Sequence, residues 1–307
     1  MPRSLFTLIL AITLVFTASA AERDSLKLLT IGNSFSNDAL GYLAHISKAG
    51  DKELLVGRAS LGGCSLERHA GHLREAIAGD PKGKPYGGRS LPEILASEHW
   101  DVVTLQQWSQ LSFKPETFQP HADELIAVIR KLAPAAEIVI HQTWAYREDH
   151  PWFQKDDGFT PAKMYAGARD TYRAFADGKG FRVLPVGDAM NLARQTPRWT
   201  YVQDPNFDFN NPPAGQLPDQ RTSLNIGWRW SIPKDESAPK FTLDAIHCNT
   251  AGKYLAGSVW YQVLFNTDTV PTTFTPEGLA EADAADLRTH ALAAVQAERT
   301  RTALAAK

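Results

Sequence analysis

Residues 28–40 read LLTIGNSFSNDAL, an apolar run that ends at Gly32 and is followed by Ser34 and a return of apolar residues at helical spacing. Such a run, closed by a glycine and followed by an amphipathic segment, predicts a strand, a tight turn and a helix. Ser34 lies in that turn, where it is either a helix-capping residue or a nucleophile at the end of a strand. On this motif alone, capping is the simpler interpretation.

Strand-like and helix-like patterns alternate along the rest of the chain. Apolar runs of strand length recur at 26–31, 53–56, 101–105, 137–140 and 181–184. Helical patterns cover 66–77, 118–132, 161–178 and a final segment from Thr275-Pro276 to about Ala305. This alternation predicts an α/β fold in three layers, a flavodoxin-like parallel sheet of about five strands with helices on both faces. Ligands of such sheets bind beyond the carboxyl ends of the strands, so we expect the chemistry there.

The first twenty residues differ in composition from the rest. MPRSLFTLILAITLVFTASA combines Arg3, an apolar core over residues 5–18 and a final Ala-Ser-Ala, which is the pattern of a secretory signal peptide. We therefore expect an exported protein, periplasmic or secreted, with a single mature domain over 21–307. An uncleaved anchor is the alternative, but the apolar run is short for a bilayer. We expect no membrane span after cleavage.

Charge and motifs exclude several classes of function. The formal net charge is −2, so the composition offers no basic surface for nucleic acid. Neither a dinucleotide fingerprint nor a P-loop is present, and we expect no cofactor. His69 and His72 have the spacing of helical metal ligands, but no acidic or cysteine partner accompanies them, so a surface pair is favoured over a metal site. The oligomeric state is left open.

Residues 196–240 interrupt the alternation with a long irregular insertion rich in Pro, Asn, Gly and aromatic residues. Loops of this length are commonly functional or disordered. The aromatic side chains argue against disorder; they are Trp199, Tyr201, Phe207, Phe209, Trp228 and Trp230. Two interpretations remain open: an aromatic wall that stacks on a sugar, or a packed lid with its own small core.

A serine nucleophile needs a base and a group that orients the base. Asp244 and His247 stand three residues apart in TLDAIHCNTAG, residues 242–252, just before a helical pattern. The carboxylate could accept a hydrogen bond from one imidazole nitrogen and leave the other free to take the proton of Ser34. The D-x-x-H pattern arises often by chance, and alone it also fits a surface pair.

Further candidates follow the other predicted strands. Gly63, in LGGCS at 61–65, could bring a backbone N–H close to an oxyanion, although a plain tight turn also explains the glycines. Gln106 and Gln107 follow the third strand and could supply a side-chain amide. Three more side chains could line a substrate pocket, namely Trp108, His141 and Trp144. Whether Cys64 and Cys248 form a disulfide is left open, with two unpaired thiols the simpler interpretation.

Taken together, these blocks resemble the SGNH, or GDSL-like, hydrolase superfamily, in an outlying branch often catalogued only as a domain of unknown function. The resemblance is carried by GNSFS at 32–36, DVVTLQQ at 101–107 and DAIHCNTAG at 244–252. It extends over roughly 26–265, which is nearly all of the mature chain.

The resemblance implies a role for each matching residue. Ser34 would be the nucleophile, His247 the general base and Asp244 the residue that orients the base. The backbone N–H groups of Ser34 and Gly63 and one side-chain amide would form the oxyanion hole. It also implies a single SGNH-like hydrolase domain over 21–307.

The sequence departs from typical members at two points. Asn33 stands where most members have Asp. The amide that typical members supply as an Asn in a G-x-N-D block is matched here by Gln106 or Gln107, with Gln106 preferred. Neither departure removes the triad.

The expected function is an exported serine esterase that hydrolyses a short acyl ester, with acetyl on a carbohydrate favoured by the aromatic insertion. Its partner would then be a small-molecule or carbohydrate ester. Two alternatives remain open. One is a carbohydrate-binding or weakly active protein on the same fold, and the other is an acyltransferase.

Overall fold

A computed structural model describes residues 21–155, 157–235 and 238–305. The predicted signal peptide, 1–20, lies outside the described residues. The strands are β1 Ser25–Gly32, β2 Glu53–Ser60, β3 Val102–Leu105, β4 Glu137–His141, β5 Arg182–Leu184, β6 Asn225–Ser231 and β7 Lys240–Cys248. The helices are α1 Ser34–Ala39, α2 Leu43–Ala49, α3 Leu66–Ile77, α4 Leu91–Leu95, α5 His121–Leu132, α6 Pro161–Lys179, α7 Val186–Arg194, α8 Thr250–Phe265 and α9 Glu281–Ala305.

The first five strands form one parallel sheet in the order β2-β1-β3-β4-β5. This is the strand order of flavodoxin-like folds, and the predicted fold class is confirmed. The order reverses at β1, which has β2 on one side and β3 on the other. Parallel sheets of this kind open a crevice beyond the carboxyl ends of the strands at that point. The turn after β1, which carries Ser34, therefore lies at the switch point of the sheet.

Buried side chains cover both faces of the sheet because successive residues of a strand point to opposite sides. Leu28 packs in a cluster with α1, α2, α7, α8 and α9. Its neighbour Leu29 packs in a second cluster with α3, α4, α5 and part of α6. The near-continuous apolar sequence of β1 follows from this burial on both faces. The result is the predicted three-layer arrangement.

Capping residues mark the helix starts that the sequence indicates. Ser65 accepts a hydrogen bond from the backbone N–H of Arg68 at the start of α3. Thr160 does the same for Lys163 at the start of α6. The helix α6 then ends at Gly180, whose φ of 68° lies in the left-handed region that glycine adopts freely.

Three features differ from the sequence-based expectations. The insertion is not wholly irregular, because 225–231 and part of 240–248 pair as an antiparallel hairpin. Helices α4 and α7 have no counterpart among the predicted helices. The last helix begins at Glu281 and not at Thr275-Pro276, because Leu279 donates its N–H back to Pro276 in a turn that precedes the helix.

Among the described residues, no helix is both long and apolar enough to cross a membrane.

Candidate active site

The structure brings Ser34, Asp244 and His247 together, although 213 residues separate the serine from the histidine. His247 Nε2 lies 2.9 Å from Ser34 Oγ. On the other side of the ring, His247 Nδ1 lies 3.0 and 3.1 Å from the two carboxylate oxygens of Asp244. In this arrangement Nδ1 carries a proton toward the carboxylate and Nε2 faces the hydroxyl with a free lone pair.

Strand β7 holds the carboxylate of Asp244 against the ring. Asp244 Oδ1 also accepts the backbone N–H groups of Ile246 and His247, at 3.3 and 3.0 Å. Burial alone would raise the pKa of Asp244, but the hydrogen bonds from His247 outweigh it and lower that pKa to about 2. The same hydrogen bond raises the pKa of His247 above its ordinary value, against the opposing effect of burial. The pair is thus arranged to stabilise an imidazolium.

Ser34 is the first residue of α1, and the preceding Asn33 caps that helix. Asn33 Oδ1 accepts the N–H of Phe35 at 3.0 Å, so the capping role falls to Asn33 and the hydroxyl of Ser34 is left to His247. Ser34 is partly exposed and a third of the His247 side chain is exposed, so the pair faces solvent.

Gly63 lies in a β-turn beside the serine turn. Cys64 donates its N–H to the carbonyl of Leu61 at 3.2 Å, and Gly63 has a φ of 58° at the third position of that turn. A positive φ at this position is the reason for glycine here. In the described part of the chain, the backbone N–H groups of Gly63 and Ser34 have no protein acceptor. Both are therefore available to an oxyanion.

Gln106 is fully buried and belongs to a polar network behind the serine. Its Nε2 donates to Asn33 Oδ1, and its Oε1 accepts from Ser36 Oγ and faces His141 Nδ1 at 3.1 Å. The amide thus holds the nucleophile turn from below, and one of its two hydrogens is used there. In the structure Gln106 braces the turn that carries Ser34, and the donor role that the resemblance implies for it stays a prediction.

Gln107 cannot donate to an oxyanion. Both of its amide hydrogens are used by Thr117, through the backbone carbonyl at 2.9 Å and the hydroxyl at 3.1 Å. Its Oε1 accepts the N–H groups of Leu66 and Trp108. This amide fixes the start of α3, and its partners argue against the expected place in the oxyanion hole, which stays a prediction.

The three residues expected to line a pocket have different surroundings. Trp108 is half-buried, and its Nε1 lies 3.7 Å from the point that a Cβ of Gly63 would occupy, so it borders the glycine turn. Trp144 is buried, stacks on Phe35 at 4.1 Å and donates its Nε1–H to the carbonyl of Ile246. It supports the strand that bears the base and does not face solvent.

His141 is also buried, and burial lowers its pKa to about 3. Its contacts are Gln106 and the ring of Trp260, so it packs beneath the site and does not line it. His69 is buried as well, which corrects the expected surface pair. Its ring bonds to Tyr86 and to the carbonyl of Gly32. In the described ranges, no three His, Cys, Asp or Glu side chains cluster as metal ligands.

Trp228 and Trp230 lie on the face of the hairpin opposite Asp244. Residues paired across antiparallel strands share a face, and Trp228 pairs with Leu243 whereas Asp244 pairs with Gly227. The two indoles pack with Phe241, and Trp228 stacks on it at 4.8 Å. Of the two interpretations of the insertion, this favours a lid with its own small core. Trp228 also borders a cavity of about 360 Å³ behind the hairpin.

Two charged residues near the base were missed in the sequence analysis. Arg229 lies 3.5 Å from Asp244 on the same face of the hairpin, and nothing in the sequence indicates this pairing. Asp38 accepts the N–H of Cys248, and its spacing of four residues from Ser34 was the available signal. Cys64 and Cys248 are both buried and unpaired.

Comparison with known proteins places the chain in a family. No curated protein matches it. Among solved structures, a DUF4886 family protein from Bacteroides uniformis is 25% identical with a TM-score of 0.68, over 89% of this chain and 95% of that one. The chain is also similar to a proposed SGNH hydrolase from Slackia heliotrinireducens, with 20% identity and a TM-score of 0.48 over 78% of this chain and 98% of that one. A lipase/acylhydrolase from Enterococcus faecalis is 10% identical with a TM-score of 0.45, over 78% of this chain and 96% of that one.

The model of the family described as "Domain of unknown function (DUF4886)" matches residues 27–208. The matched segment includes the serine turn and the glutamine pair, and it ends before Asp244 and His247. The expected branch is confirmed: this chain belongs to the DUF4886 family.

Proposed function

We propose that the protein is a serine esterase in which Ser34, His247 and Asp244 form the catalytic triad. The observation that carries the proposal is the contact of 2.9 Å between His247 Nε2 and Ser34 Oγ, with Asp244 on the opposite ring nitrogen. Nucleophile, base and orienting carboxylate in this geometry are the arrangement used for acyl transfer on many unrelated folds.

In the acylation step, Ser34 Oγ attacks the ester carbonyl carbon as its proton passes to His247 Nε2. The imidazolium that forms is stabilised by Asp244, which stays ionised because its pKa is far below neutral. The tetrahedral intermediate then collapses, the carbon–oxygen bond to the alcohol breaks, and His247 returns the proton to the leaving oxygen. Water attacks the acyl-serine by the same route in reverse.

The oxyanion would be held by the backbone N–H groups of Ser34 and Gly63. Ser34 lies in the serine turn and Gly63 in the turn beside it, both at the carboxyl edge of the sheet, and neither N–H has an acceptor among the described residues. Donors fixed in advance stabilise the developing charge more than mobile ones would. Gln106 supports them by holding Asn33 from below.

A short acyl group on a polar alcohol, such as an acetylated carbohydrate, fits this site best. The triad faces solvent, with a third of the His247 side chain exposed, so a bulky hydrophilic alcohol can reach it. A long acyl chain would need an extended apolar channel. The described apolar groove of about 470 Å³ lies between α3 and α5, and no triad residue lines it.

We also propose that the protein is exported, since residues 1–20 have the composition of a signal peptide. Cell fractionation followed by amino-terminal sequencing tests this. A mature chain that begins near Ala21 outside the cytoplasm is expected, and an intact Met1 in the cytoplasm would contradict it.

The first test is hydrolysis of p-nitrophenyl acetate and a panel of acetylated sugars by the wild type, Ser34→Ala and His247→Ala. We expect each variant to lose on the order of 10³-fold or more in kcat. Ser97→Ala and His99→Ala, near the amino-terminal edge of β3, are matched controls that should keep wild-type rates. A fluorophosphonate probe should label the wild type and spare Ser34→Ala.

Hydrolysis that survives in Ser34→Ala, or a wild type that neither hydrolyses any of these esters nor reacts with the probe, would overturn the proposal.

A further inference from the structure

Asp38 lies on α1 one helical turn after the nucleophile. Residues four apart share a helix face, so Ser34 and Asp38 both face the end of strand β7. Asp38 Oδ2 accepts the backbone N–H of Cys248 at 2.8 Å. Cys248 directly follows His247. The Asp38 side chain therefore joins α1, which carries the proposed nucleophile, to β7, which carries the proposed base. The contact between Ser34 and His247 is a second link between the same two elements.

The carboxylate of Asp38 is nearly buried, with 7% of the residue exposed. Its partners are the Cys248 N–H and the ammonium of Lys253, whose Nζ is 3.8 Å from Oδ1. Burial raises the pKa of Asp38, and the hydrogen bond from Cys248 opposes that rise. A buried carboxylate with one hydrogen bond and one distant cation is expensive to maintain.

The link between α1 and β7 alone does not require a charge. An asparagine oxygen would accept the same N–H without the desolvation cost of a carboxylate. The charge has a second neighbour, because the hydrogen bond to Cys248 holds the Asp38 carboxylate beside the residue that follows His247, where carboxylate and imidazolium attract each other. The other groups that face His247 are Asp244 on β7, which also favours the imidazolium, and Arg229 on β6, which disfavours it.

We propose that Asp38 is a positioning residue of the triad: its hydrogen bond to Cys248 fixes the base against the nucleophile helix, and its negative charge stabilises the imidazolium formed as Ser34 attacks. The proposal rests on the esterase function proposed above. Asp38 touches neither the substrate nor the reacting atoms. It acts through the backbone of Cys248 and through the electric field at His247.

Two substitutions separate the two effects. Asp38→Asn keeps an acceptor for Cys248 and removes the charge, and Asp38→Ala removes both. For Asp38→Asn we expect kcat to fall about tenfold with KM unchanged, because the imidazolium that forms as Ser34 attacks loses the stabilisation of this charge. The acid limb of kcat/KM should move to lower pH, since a His247 without this carboxylate loses its proton more readily. For Asp38→Ala we expect kcat to fall about 10²-fold, with part of the loss caused by displacement of His247.

Asp188→Asn is the matched control. Asp188 is a buried carboxylate held by Gln142, Tyr165 and Arg173, away from the triad. The Asp188→Asn substitution should lower the melting temperature and leave the acid limb of kcat/KM at its wild-type pH. An equal shift of the acid limb in this control would show that the shift reports loosened packing, and the proposal for Asp38 would fall.

A measurement that needs no turnover tests the proposal for Asp38 independently of the esterase function. The His247 imidazole is titrated by NMR in Ser34→Ala with and without Asp38→Asn, with circular dichroism as the check on folding. A lower His247 pKa in the double variant supports the charge coupling even if no ester is hydrolysed. An unchanged His247 pKa, or a loss of activity that falls on KM alone, overturns it.

Discussion

The side-chain amide of Asn33 donates a hydrogen bond to the backbone carbonyl of Cys64 at 3.0 Å. Asn33 directly precedes the nucleophile, and Cys64 directly follows Gly63. This one bond therefore ties the turn that bears Ser34, the proposed nucleophile, to the turn that bears Gly63, the second proposed oxyanion donor. Because the Asn33 oxygen is held by Phe35 and Gln106, the orientation of the amide is fixed and its nitrogen must face the carbonyl.

Asn33→Asp should lower kcat at neutral pH by about 10- to 100-fold. An ionised aspartate cannot donate to the Cys64 carbonyl and would place a buried negative charge against it, which displaces the glycine turn. The larger part of the loss should fall on kcat, since the oxyanion forms only during reaction. Steady-state kinetics with Asn211→Asp, an exposed position in the insertion, as control checks this. A variant with wild-type kcat would show that the bond does not position the oxyanion hole.

The pH dependence of activity follows from the shifted pKa of His247. In the proposed mechanism the neutral imidazole is the base, and its pKa lies above the ordinary 6.5, so kcat/KM should fall as the pH decreases through a value above 6.5. The free energy of unfolding depends on pH in the opposite sense. The imidazolium–Asp244 interaction stabilises the fold fully below the unfolded pKa of the histidine, and that contribution is lost as the pH rises through the folded value.

Asp244→Asn tests the same pair. It removes the charge and introduces an amide NH₂ that can donate to Nδ1, which favours the unproductive tautomer of His247, so kcat should fall by on the order of 10³- to 10⁴-fold. The acid limb should also move to lower pH, because the largest cause of the raised His247 pKa is gone. A pH–rate profile from 5 to 9 is the measurement. If the acid limb stays in place, a group other than His247 is responsible for it.

Local patterns were sufficient to predict the sheet and the serine turn. The apolar run 26–31 and the glycine after it are local features, and the parallel α/β fold places their end at the switch point. Asp244 and His247 could be named because both lie in one short segment. The contact of His247 with Ser34 follows only from the three-dimensional structure, since it closes across the whole domain.

The remaining site residues depend on partners far away in the sequence. Gln106 and Gln107 are chemically identical neighbours, and only their partners distinguish them. Gln106 supports the serine turn through Asn33, whereas Gln107 braces α3 through Leu66. Trp228 could not be assigned to a face, because that requires the pairing register of two strands in an irregular insertion. An aromatic-rich composition is expected both of a surface that stacks on substrate and of a small hydrophobic core, so composition alone does not distinguish the two.

Gln107→Ala should therefore affect folding more than catalysis. Its amide holds the Thr117 carbonyl and two backbone N–H groups, and leaving buried polar groups unpaired costs about 1–3 kcal/mol. Removal of a true oxyanion donor would cost about 10²- to 10³-fold in kcat. We expect less than about tenfold for the folded variant, together with a lower urea midpoint. A 10²-fold loss of kcat at wild-type stability would restore Gln107 to the oxyanion hole.

Gly63→Ala should impair catalysis, whereas Gly62→Ala should not. Gly63 has a φ of 58°, and a side chain in the left-handed region costs roughly 1–2 kcal/mol. The space around it is open, with Trp108 Nε1 3.7 Å from the added carbon, so the damage comes from the backbone and not from a clash. The turn can relieve the strain only by rotating the Gly63 N–H, so kcat should fall about 10- to 100-fold with little change in KM.

Gly62 is the matched control, since an added Cβ there meets nothing within 4 Å and its φ lies outside the left-handed region. Its variant should stay within about threefold of the wild type, as expected for a surface change without strain. Kinetics and urea unfolding of both variants decide the point. If Gly63→Ala loses stability but keeps wild-type kcat, the N–H of residue 63 does not hold the oxyanion, and the N–H of Ser34 would be the remaining backbone donor of the proposed pair.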